Sequence, residues 1–367
     1  MPHLVAVDGR PLSSPVSGIS RLISKIIENF DMDFEFHLFS HLPIHDDFKF
    51  LLKKPNVVWH ENQSLFKKGG SWYIFHFPRE IRKLKPKIYW GTQQTIPPFL
   101  SKNIKKVLTI LDFVSYYYPD SMRKIALFQQ RLLMRQSFQK ADFFISISHQ
   151  TQDDLVKLYL KNHKKHLKVI HLGFDPPKEF SKEIPISIKQ PYILSVSTIE
   201  PRKNYTTLLE AYYQYYQQEK EQAYSLVIVG KRGWETSSFY KKLDEFTKKT
   251  QSIYVLDNIN DQQLYSLYYH AAFFCMPSLY EGFGLPVLEA LSFQKHVILS
   301  DIPCFKEIAK DYGIFLSPYD TKAWAETIKD FVQLHRNQKL PPVNFPTELW
   351  SWKKVAQNYK EVFNSLI

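Results

Sequence analysis

The sequence predicts an α/β protein of two domains, each built on a parallel β-sheet with helices on both faces. Short apolar runs alternate with helical patterns along almost the whole chain, which is typical of repeated βα units. A proline-rich interval, residues 175–191, interrupts this alternation, and the pattern restarts after it. The length of 367 residues is large for one hydrophobic core and suits two.

The first half contains seven apolar runs of strand length. The predicted strands are 4–7, 34–39, 56–60, 88–90, 106–111, 143–147 and 169–172. Apolar residues at helical spacing predict helices over 19–29, 122–140 and 151–159. In the helix over 122–140, basic residues stand among apolar ones, so one face either rests on an anionic membrane or is simply solvated.

The second half repeats the pattern. The predicted strands are 192–196, 225–229, 253–256, 273–276 and 296–299, and the predicted helices are 205–217, 236–248, 262–270, 303–309 and 321–335. A last amphipathic helix, 353–363, carries Val355, Tyr359 and Phe363 at helical spacing. Ligands of such folds bind where the strands end, so the crevice between the two halves is the predicted reaction chamber.

Composition narrows the possible functions. Cys275 and Cys304 are the two cysteines, and they form neither a metal-ligand spacing nor a disulfide framework, which indicates a reducing cytosol. No apolar run is long enough to span a bilayer, so we expect a cytoplasmic protein that is soluble or peripheral. The net charge of +12 falls almost entirely in residues 1–180. Nucleic acid, an anionic membrane or an acidic acceptor would each suit this charge, but without a nucleic-acid-binding motif we expect no nucleic acid.

The most informative motif is Glu-Gly-Phe-Gly-Leu-Pro-Val-Leu-Glu at 281–289. Gly282 and Gly284 allow close backbone approach or a positive φ, and Pro286 favours a helix start. A helix N-terminus attracts phosphate, while carboxylates bind vicinal hydroxyls. The motif therefore fits a sugar nucleotide, with the diphosphate at the amides and hydroxyls at Glu281 and Glu289; the alternative is a tight loop with both carboxylates in solvent.

A second loop supplies cations. Glu-Pro-Arg-Lys-Asn at 200–204 follows the predicted strand 192–196, and Arg202 and Lys203 could bind the oxygens of a leaving diphosphate. Gly-Lys-Arg-Gly-Trp at 230–234 follows the next strand and either borders the nucleotide or forms a turn closed by an aromatic side chain.

The first half offers weaker candidates. Gly18 lies in the first βα loop and either approaches a phosphate or sugar or simply starts a helix. Asp112 ends a strand and either positions an acceptor hydroxyl, acts as a base, or caps the next segment. Gln93 and Gln94 are possible acceptor contacts. The Asp31-Met32-Asp33 pair follows a helix, which indicates a surface turn, and we predict no metal site.

Together these motifs resemble family 4 of the retaining glycosyltransferases, which have the GT-B fold of two Rossmann-like domains with a crevice between them. The likeness extends over essentially the whole chain and is greatest to mannosyltransferase-like members of bacterial surface polysaccharide biosynthesis. It includes the motifs at 281–289, 198–204 and 230–234, Leu-Gly-Phe-Asp at 172–175, and Val-Asp-Gly-Arg-Pro-Leu at 7–12 with Gly18.

The resemblance implies a role for each matching residue. Arg202 and Lys203 would hold the donor diphosphate, Glu281 would contact the donor sugar and Glu289 the ribose. The amides of Gly282, Phe283, Gly284 and Leu285 would lie beside the sugar, and Gly18 would approach the donor from the first domain. Asp112 is a catalytic candidate on the acceptor side because of its position at a strand end, not because of the resemblance. Transfer would retain configuration without a metal or cofactor, and the last helix would return to the first domain.

The proline-rich interval divides the chain into domains over 1–175 and 176–349. The resemblance implies that the first is the acceptor-side domain, joined by 350–367, and that the second is the nucleotide-sugar domain. Two departures concern the first domain. Leu111 stands where many members have His before the Asp, and His149 stands where many have Glu.

We therefore expect a hexosyltransferase that moves a hexose from a GDP- or UDP-sugar to a glycan or lipid-linked acceptor, with mannose as the first candidate for the sugar. The alternatives are a catalytically degenerate binder of sugar nucleotide or glycan, to which Leu111 points, and another sugar-nucleotide enzyme such as an epimerase.

Overall fold

The computed structural model describes residues 2–62, 64–66, 68–121, 124–160, 166–181, 183–184 and 188–367. The chain forms two compact units, Met1–Gly173 with Leu349–Ile367 and Phe174–Glu348, here called the N-terminal and C-terminal units. Met122 and Arg123 of the predicted helix and Pro185 of the predicted linker lie outside the described residues.

The N-terminal unit is a parallel sheet of seven strands in the order β3-β2-β1-β4-β5-β6-β7. The strands are β1 His3–Asp8, β2 Phe34–Phe39, β3 Val57–His60, β4 Ile88–Gly91, β5 Lys105–Ile110, β6 Phe143–Ser146 and β7 His166–Val169. The helices are α1 Gly18–Glu28, α2 Gly69–Ser71, α3 Phe77–Leu84, α4 Val114–Tyr117, α5 Lys124–Lys140 and α6 His149–Leu155. Short π-helical segments follow α2 and α6, at Trp72–His76 and Val156–Leu160.

The C-terminal unit is a parallel sheet of six strands in the order β10-β9-β8-β11-β12-β13. The strands are β8 Tyr192–Val196, β9 Ser225–Val229, β10 Ile253–Leu256, β11 Phe273–Met276, β12 Val297–Ser300 and β13 Gly313–Leu316. The helices are α7 Tyr205–Glu219, α8 Ser237–Thr250, α9 Asp261–His270, α10 Leu285–Ser292, α11 Pro303–Ala309 and α12 Thr321–Arg336.

The last helix, α13 Trp352–Asn364, belongs to the N-terminal unit and packs on its sheet. Tyr359 and Phe363 are completely buried. The Tyr359 hydroxyl lies 3.0 Å from Thr109 Oγ1, which also accepts from the Trp90 indole at 2.9 Å. Aromatic burial and a shared hydroxyl therefore fix this helix on β4 and β5.

Most predicted strands were confirmed, and the errors lie at sheet edges. Residues 169–172 were predicted as a strand, but β7 runs over His166–Val169, because Val169 pairs with Ser146 and His166 with Phe143. The edge strand β13 was missed. Three of its four residues are apolar, but a run of three is too short to be told from a loop by periodicity alone.

Candidate active site

The Gly-rich motif forms the loop between β11 and α10. Gly284 is the N-cap of α10 and has a φ of 120°, outside the range that side chains with a Cβ favour. A Cβ at Gly284 would also lie 2.8 Å from Phe305 Cε1. Pro286, expected at the start of the helix, is its second residue. The loop therefore needs glycine at 284 for both backbone and packing reasons.

Gly284→Ala is expected to lower the free energy of unfolding by about 2–4 kcal/mol, because it combines backbone strain with overpacking against Phe305. Urea denaturation measures the change. Gly70→Ala is the matched control, since nothing lies within 4 Å of a Cβ built there. Equal stability of the two variants would contradict the strained loop.

Glu281 is 6% exposed and is held by three side chains. Its Oε2 accepts from Arg202 Nη1 at 2.9 Å, and its Oε1 accepts from Lys203 Nζ at 2.5 Å and Ser278 Oγ at 2.8 Å. Burial alone would raise the pKa of Glu281, but the charges of Lys203 and Arg202 outweigh it and lower the pKa to about 2. Glu281 is therefore ionised at neutral pH.

The two loops predicted to act together are in direct contact. The backbone N–H of Leu279 donates to the Arg202 carbonyl at 2.7 Å, and Arg202 Nη1 donates to the Tyr280 carbonyl at 3.1 Å. Asn204 Nδ2 donates to the Pro277 carbonyl at 3.1 Å. The contact follows from topology, because β8 and β11 are neighbouring parallel strands and their carboxyl ends meet at one sheet edge.

The Arg202–Lys203 segment is itself rigid. Residues Pro201–Lys203 form a 3₁₀ turn with proline in its first turn, and Asn204 follows with a left-handed φ of 57°. Arg202 Nε also pairs with Glu200 Oε1 at 2.5 Å. Two cations and two carboxylates thus form a compact cluster, here called the Arg-Lys-Glu cluster: Glu200, Arg202, Lys203 and Glu281.

The Gly230–Trp234 turn packs against the loop that carries this cluster. Trp234 Nε1 donates to Glu200 Oε2 at 3.1 Å, and Gly233 N donates to the Ile199 carbonyl at 2.8 Å. A Cβ on Gly230 would lie 1.8 Å from the Ser197 carbonyl oxygen. This close approach and the hydrogen bond from Trp234 orient the carboxylate of Glu200, which pairs with Arg202.

Glu289 lies one turn into α10 and is 5% exposed. The Tyr268 hydroxyl donates to its Oε2 at 2.8 Å. Tyr268 lies on α9 and is completely buried, so this hydrogen bond fixes the carboxylate. Both carboxylates of the motif are therefore buried and oriented, rather than free in solvent.

The first-half candidates lie in the N-terminal unit. Gly18 is the first residue of α1, directly after the N-cap Ser17, whose Oγ accepts from Ser20 N at 3.3 Å. Asp112 follows β5, and its Oδ1 accepts from the backbone N–H of Val114 at 3.1 Å. Asp112 therefore caps the next segment, which is one of the roles the sequence suggested for it.

The opening segment 7–12 and Gln93 meet at the ends of β1 and β4, a contact that the sequence did not predict. Asp8 is fully buried and accepts from Arg10 Nε at 2.9 Å, Arg10 Nη2 at 2.7 Å and Gln93 Nε2 at 3.2 Å. The Arg10 guanidinium lies 4.1 Å from the centroid of the Tyr73 ring. Burial opposes the charge of Arg10, yet Asp8 more than compensates and raises its pKa. The sequence does show that an Asp ends the first strand, which could have marked this site. It does not show that β1 and β4 are neighbours, which is what brings Gln93 to Asp8.

Comparison with known proteins identifies the chemistry. Residues 176–340, which include the Arg-Lys-Glu cluster and Glu289, match the family Glycosyl transferases group 1. The chain is 27% identical over 284 residues to the O-antigen chain mannosyltransferase RfbU of Salmonella typhimurium, a match that covers 76% of each protein. The protein is a glycosyltransferase.

Two further matches concern the activity of a similar protein and the fold. The glycosyltransferase is 33% identical over 167 residues to the serotype-specific mannosyltransferase WbdA of Escherichia coli, covering 46% of this chain and 20% of that protein. The crystal structure of Anabaena Alr3699/HepE in complex with UDP and glucose matches over 100% of both chains, with a TM-score of 0.72 and 15% identity. That structural likeness shows the GT-B fold, which confirms the predicted fold class.

The comparisons also confirm the predicted enzyme class and do not favour the binding-only alternative. Among the described residues of this glycosyltransferase, no helix is both long and apolar enough to cross a bilayer.

Proposed function

We propose that this enzyme transfers mannose from a nucleoside diphosphate sugar, GDP- or UDP-linked, to a glycan or lipid-linked acceptor in surface polysaccharide biosynthesis. The observation that carries the proposal is the contact between the Arg202–Lys203 loop and the Glu281 loop. The sugar and the pathway are supported by the names of the similar proteins, an O-antigen chain mannosyltransferase and a serotype-specific mannosyltransferase.

The donor roles follow from charge. Arg202 and Lys203 bind the diphosphate and stabilise the charge that develops on it as the sugar leaves. Glu281, ionised and fixed by both cations, accepts hydrogen bonds from the transferred sugar, beside the amides of Gly282 to Leu285. Glu289 binds the ribose hydroxyls. Because two cations stand in for a divalent ion, transfer proceeds without a metal. Transfer retains the anomeric configuration. Gly18 and Asp112 take part in the reaction from the N-terminal unit.

A ligand panel tests the donor. Binding to the folded state raises the melting temperature, so the GDP- or UDP-sugar that is the donor raises it, and ADP-sugars leave it unchanged. The acceptor assay then uses the donor so identified with lipid-linked glycan. Absence of any stabilisation together with absence of sugar transfer would overturn the proposed function.

Glu289→Gln is expected to weaken binding of the donor nucleotide about tenfold, because it removes a charged hydrogen-bond acceptor for two hydroxyls. Titration calorimetry with the nucleotide and with its 2′,3′-dideoxy analogue measures this, and the analogue should bind both proteins equally. Glu326→Gln on the surface of α12, where Glu326 is 62% exposed, is the control. An equal loss for both ligands would contradict the ribose contact.

The proposal includes peripheral contact with an anionic membrane, on the cytoplasmic face, through α5. Ile125, Phe128 and Leu132 recur at helical spacing on one face and are 75%, 68% and 47% exposed. The exposed bases Lys124 and Arg135 flank this face. A large exposed apolar stripe with flanking cations suits the interface of an anionic leaflet.

Phe128→Glu is expected to reduce binding to vesicles that contain phosphatidylglycerol about tenfold or more, because it places a charge in the apolar stripe. Vesicle flotation at low and high salt measures the effect. Leu65→Glu is the control, since Leu65 is 95% exposed in the same unit but lies outside α5. Unchanged flotation of Phe128→Glu, or no flotation of the unmodified enzyme, would remove α5 as the membrane contact.

A further inference from the structure

Lys295 joins the ends of two helices in the C-terminal unit, α9 and α10. It precedes β12, at the amino ends of the parallel strands, whereas the Arg-Lys-Glu cluster lies at their carboxyl ends. Its backbone N–H donates to the Ala290 carbonyl of α10 at 3.0 Å. Its Nζ donates to the Tyr269 carbonyl, in the last turn of α9, at 2.7 Å. The lysine therefore caps α9 and ties it to α10.

The same two helices hold Glu289 in place. Tyr268, the neighbour of Tyr269 on α9, donates its hydroxyl to Glu289 Oε2 at 2.8 Å. The ring of Phe293, at the end of α10, stacks on the Tyr268 ring with centroids 5.6 Å apart and planes 9° apart. A movement of the end of α9 at Lys295 would therefore move the hydroxyl that fixes the Glu289 carboxylate.

The charge of Lys295 is not matched by an acidic side chain. Among the residues that the structure describes, no carboxylate forms an ion pair with its Nζ, and its one hydrogen bond goes to the neutral Tyr269 carbonyl. The titratable groups that face it are Tyr269, His296 and His335 of α12. Burial lowers the pKa of His335, and the charges of Lys295 and His296 lower it further. The surroundings are thus basic.

The amine of Lys295 is both reachable and easily deprotonated. The residue is partly exposed, and burial of the amine lowers its pKa from 10.5 to about 8. The end of α9 favours the ammonium form, but typically by less than about one pKa unit, so burial dominates. At neutral pH the uncharged fraction is therefore roughly 300-fold that of an ordinary lysine.

The uncharged amine keeps its place at the end of α9. A carbonyl needs only an N–H, so the hydrogen bond to Tyr269 survives loss of the proton, and the nitrogen lone pair becomes available to attack an electrophile. The basic surroundings favour an anionic reagent over a neutral one. Small acyl phosphates combine an electrophilic acyl carbon with a negative charge.

We propose that Lys295 is an acylation site for small acyl phosphates, and that acylation weakens nucleotide binding at Glu289. The amine nitrogen attacks the acyl carbon, the bond from that carbon to the phosphate oxygen breaks, and the phosphate leaves with the bonding electrons and takes up the amine proton. The amide formed keeps one N–H for the Tyr269 carbonyl but loses the charge that strengthens this hydrogen bond. The effect at Glu289 rests on the proposed function, whereas the acylation does not.

Incubation of the full-length enzyme with acetyl phosphate at neutral pH tests the acylation, and peptide mass spectrometry measures it. Lys295 should react about tenfold faster than Lys322, because its larger uncharged fraction outweighs its lower basicity. Lys322 is the control, since it is 81% exposed in the same unit. In urea the two rates should become equal. Equal rates in the folded enzyme would overturn the acylation site.

Two variants test the effect on the nucleotide site. Lys295→Gln removes the charge, and Lys295→Arg keeps the charge without a nucleophilic amine. Titration calorimetry with GDP and with UDP should show about threefold weaker binding for Lys295→Gln, the scale of a lost charge at a helix end, and unchanged binding for Lys295→Arg. In a Glu289→Gln background, Lys295→Gln should cause no further loss, which a general loss of stability would not predict.

The outcomes separate the two proposals. Unchanged affinity in Lys295→Gln, or the same loss in the Glu289→Gln background, would overturn the effect at Glu289. Slow acetylation of Lys295 in an enzyme that transfers sugar would sink the acylation site alone. Rapid acetylation in an enzyme that binds neither GDP nor UDP and transfers no sugar would sink the proposed function alone.

Discussion

Arg202→Gln is expected to reduce kcat by about 100- to 1,000-fold, the loss typical of removing one preorganised group that stabilises developing charge. Arg202 contacts both Glu281 and the Tyr280 carbonyl, so its guanidinium is held before the donor arrives. Glutamine keeps an N–H donor for the Tyr280 carbonyl but removes the positive charge that stabilises a leaving diphosphate.

Steady-state kinetics with saturating donor measure this loss. Arg202→Lys should recover part of the lost activity, because lysine keeps the positive charge but lacks the planar guanidinium that binds two oxygens at once. Lys322→Gln is the control, because Lys322 is 81% exposed on α12. The melting temperature of each variant separates lost chemistry from lost folding. A folded Arg202→Gln enzyme with ordinary kcat would contradict the diphosphate role.

Glu281→Gln is expected to lower the free energy of unfolding by about 3 kcal/mol at neutral pH, because it leaves Lys203 and Arg202 buried with one carboxylate fewer. In a domain of this size that corresponds to a fall of roughly 6–12 °C in melting temperature. Sugar transfer should fall with it, since the same carboxylate is proposed to bind the donor sugar.

The pH dependence of stability gives an independent measure. Folding lowers the pKa of Glu281 from about 4.5 to about 2, so its stabilisation is complete above the unfolded value and is lost as pH falls toward the folded value. The shift corresponds to about 3 kcal/mol. The stability of the unmodified enzyme should therefore fall more steeply between pH 5 and 2 than that of Glu281→Gln.

Urea denaturation across this pH range is the measurement. Glu326→Gln, which changes an exposed carboxylate in the same unit, should follow the unmodified enzyme at every pH. Parallel curves for Glu281→Gln and the unmodified enzyme would mean that the ion pairs at Glu281 contribute no net stability.

Periodicity predicted the central strands and the edge strands β3 and β10 well; it misplaced the edge strand β7 and missed the edge strand β13. Strands such as β2, β8 and β9 are buried and rich in β-branched and aromatic residues, and their predicted bounds agree with the structure. The segment Gly69–Leu84, which contains α2, a π-helical turn and α3, was not predicted at all. Phe77, Ile81 and Leu84 do stand at helical spacing, but a glycine pair and Pro78, which are typical of turns and loops, break up the pattern.

The loops of Arg202 and Glu281 were predicted to share one site, but the direct contacts between residues far apart in sequence were not predicted. Arg202 and Glu281 are 79 residues apart, and Asp8 and Gln93 are 85 apart. Both pairs meet because their strands are neighbours in a parallel sheet, β8 beside β11 and β1 beside β4.

By itself, the sequence determined the two α/β units, the glycine loop that opens a helix, and the residue types of a sugar-nucleotide site. These depend on local patterns, which hydrophobic spacing and backbone sterics fix within a few residues. Only the tertiary structure decided that both cations hold Glu281 and that Asp8 binds Arg10 and Gln93. The physical reason is strand order: pairing between distant strands places side chains together, and no local pattern records which strands become neighbours.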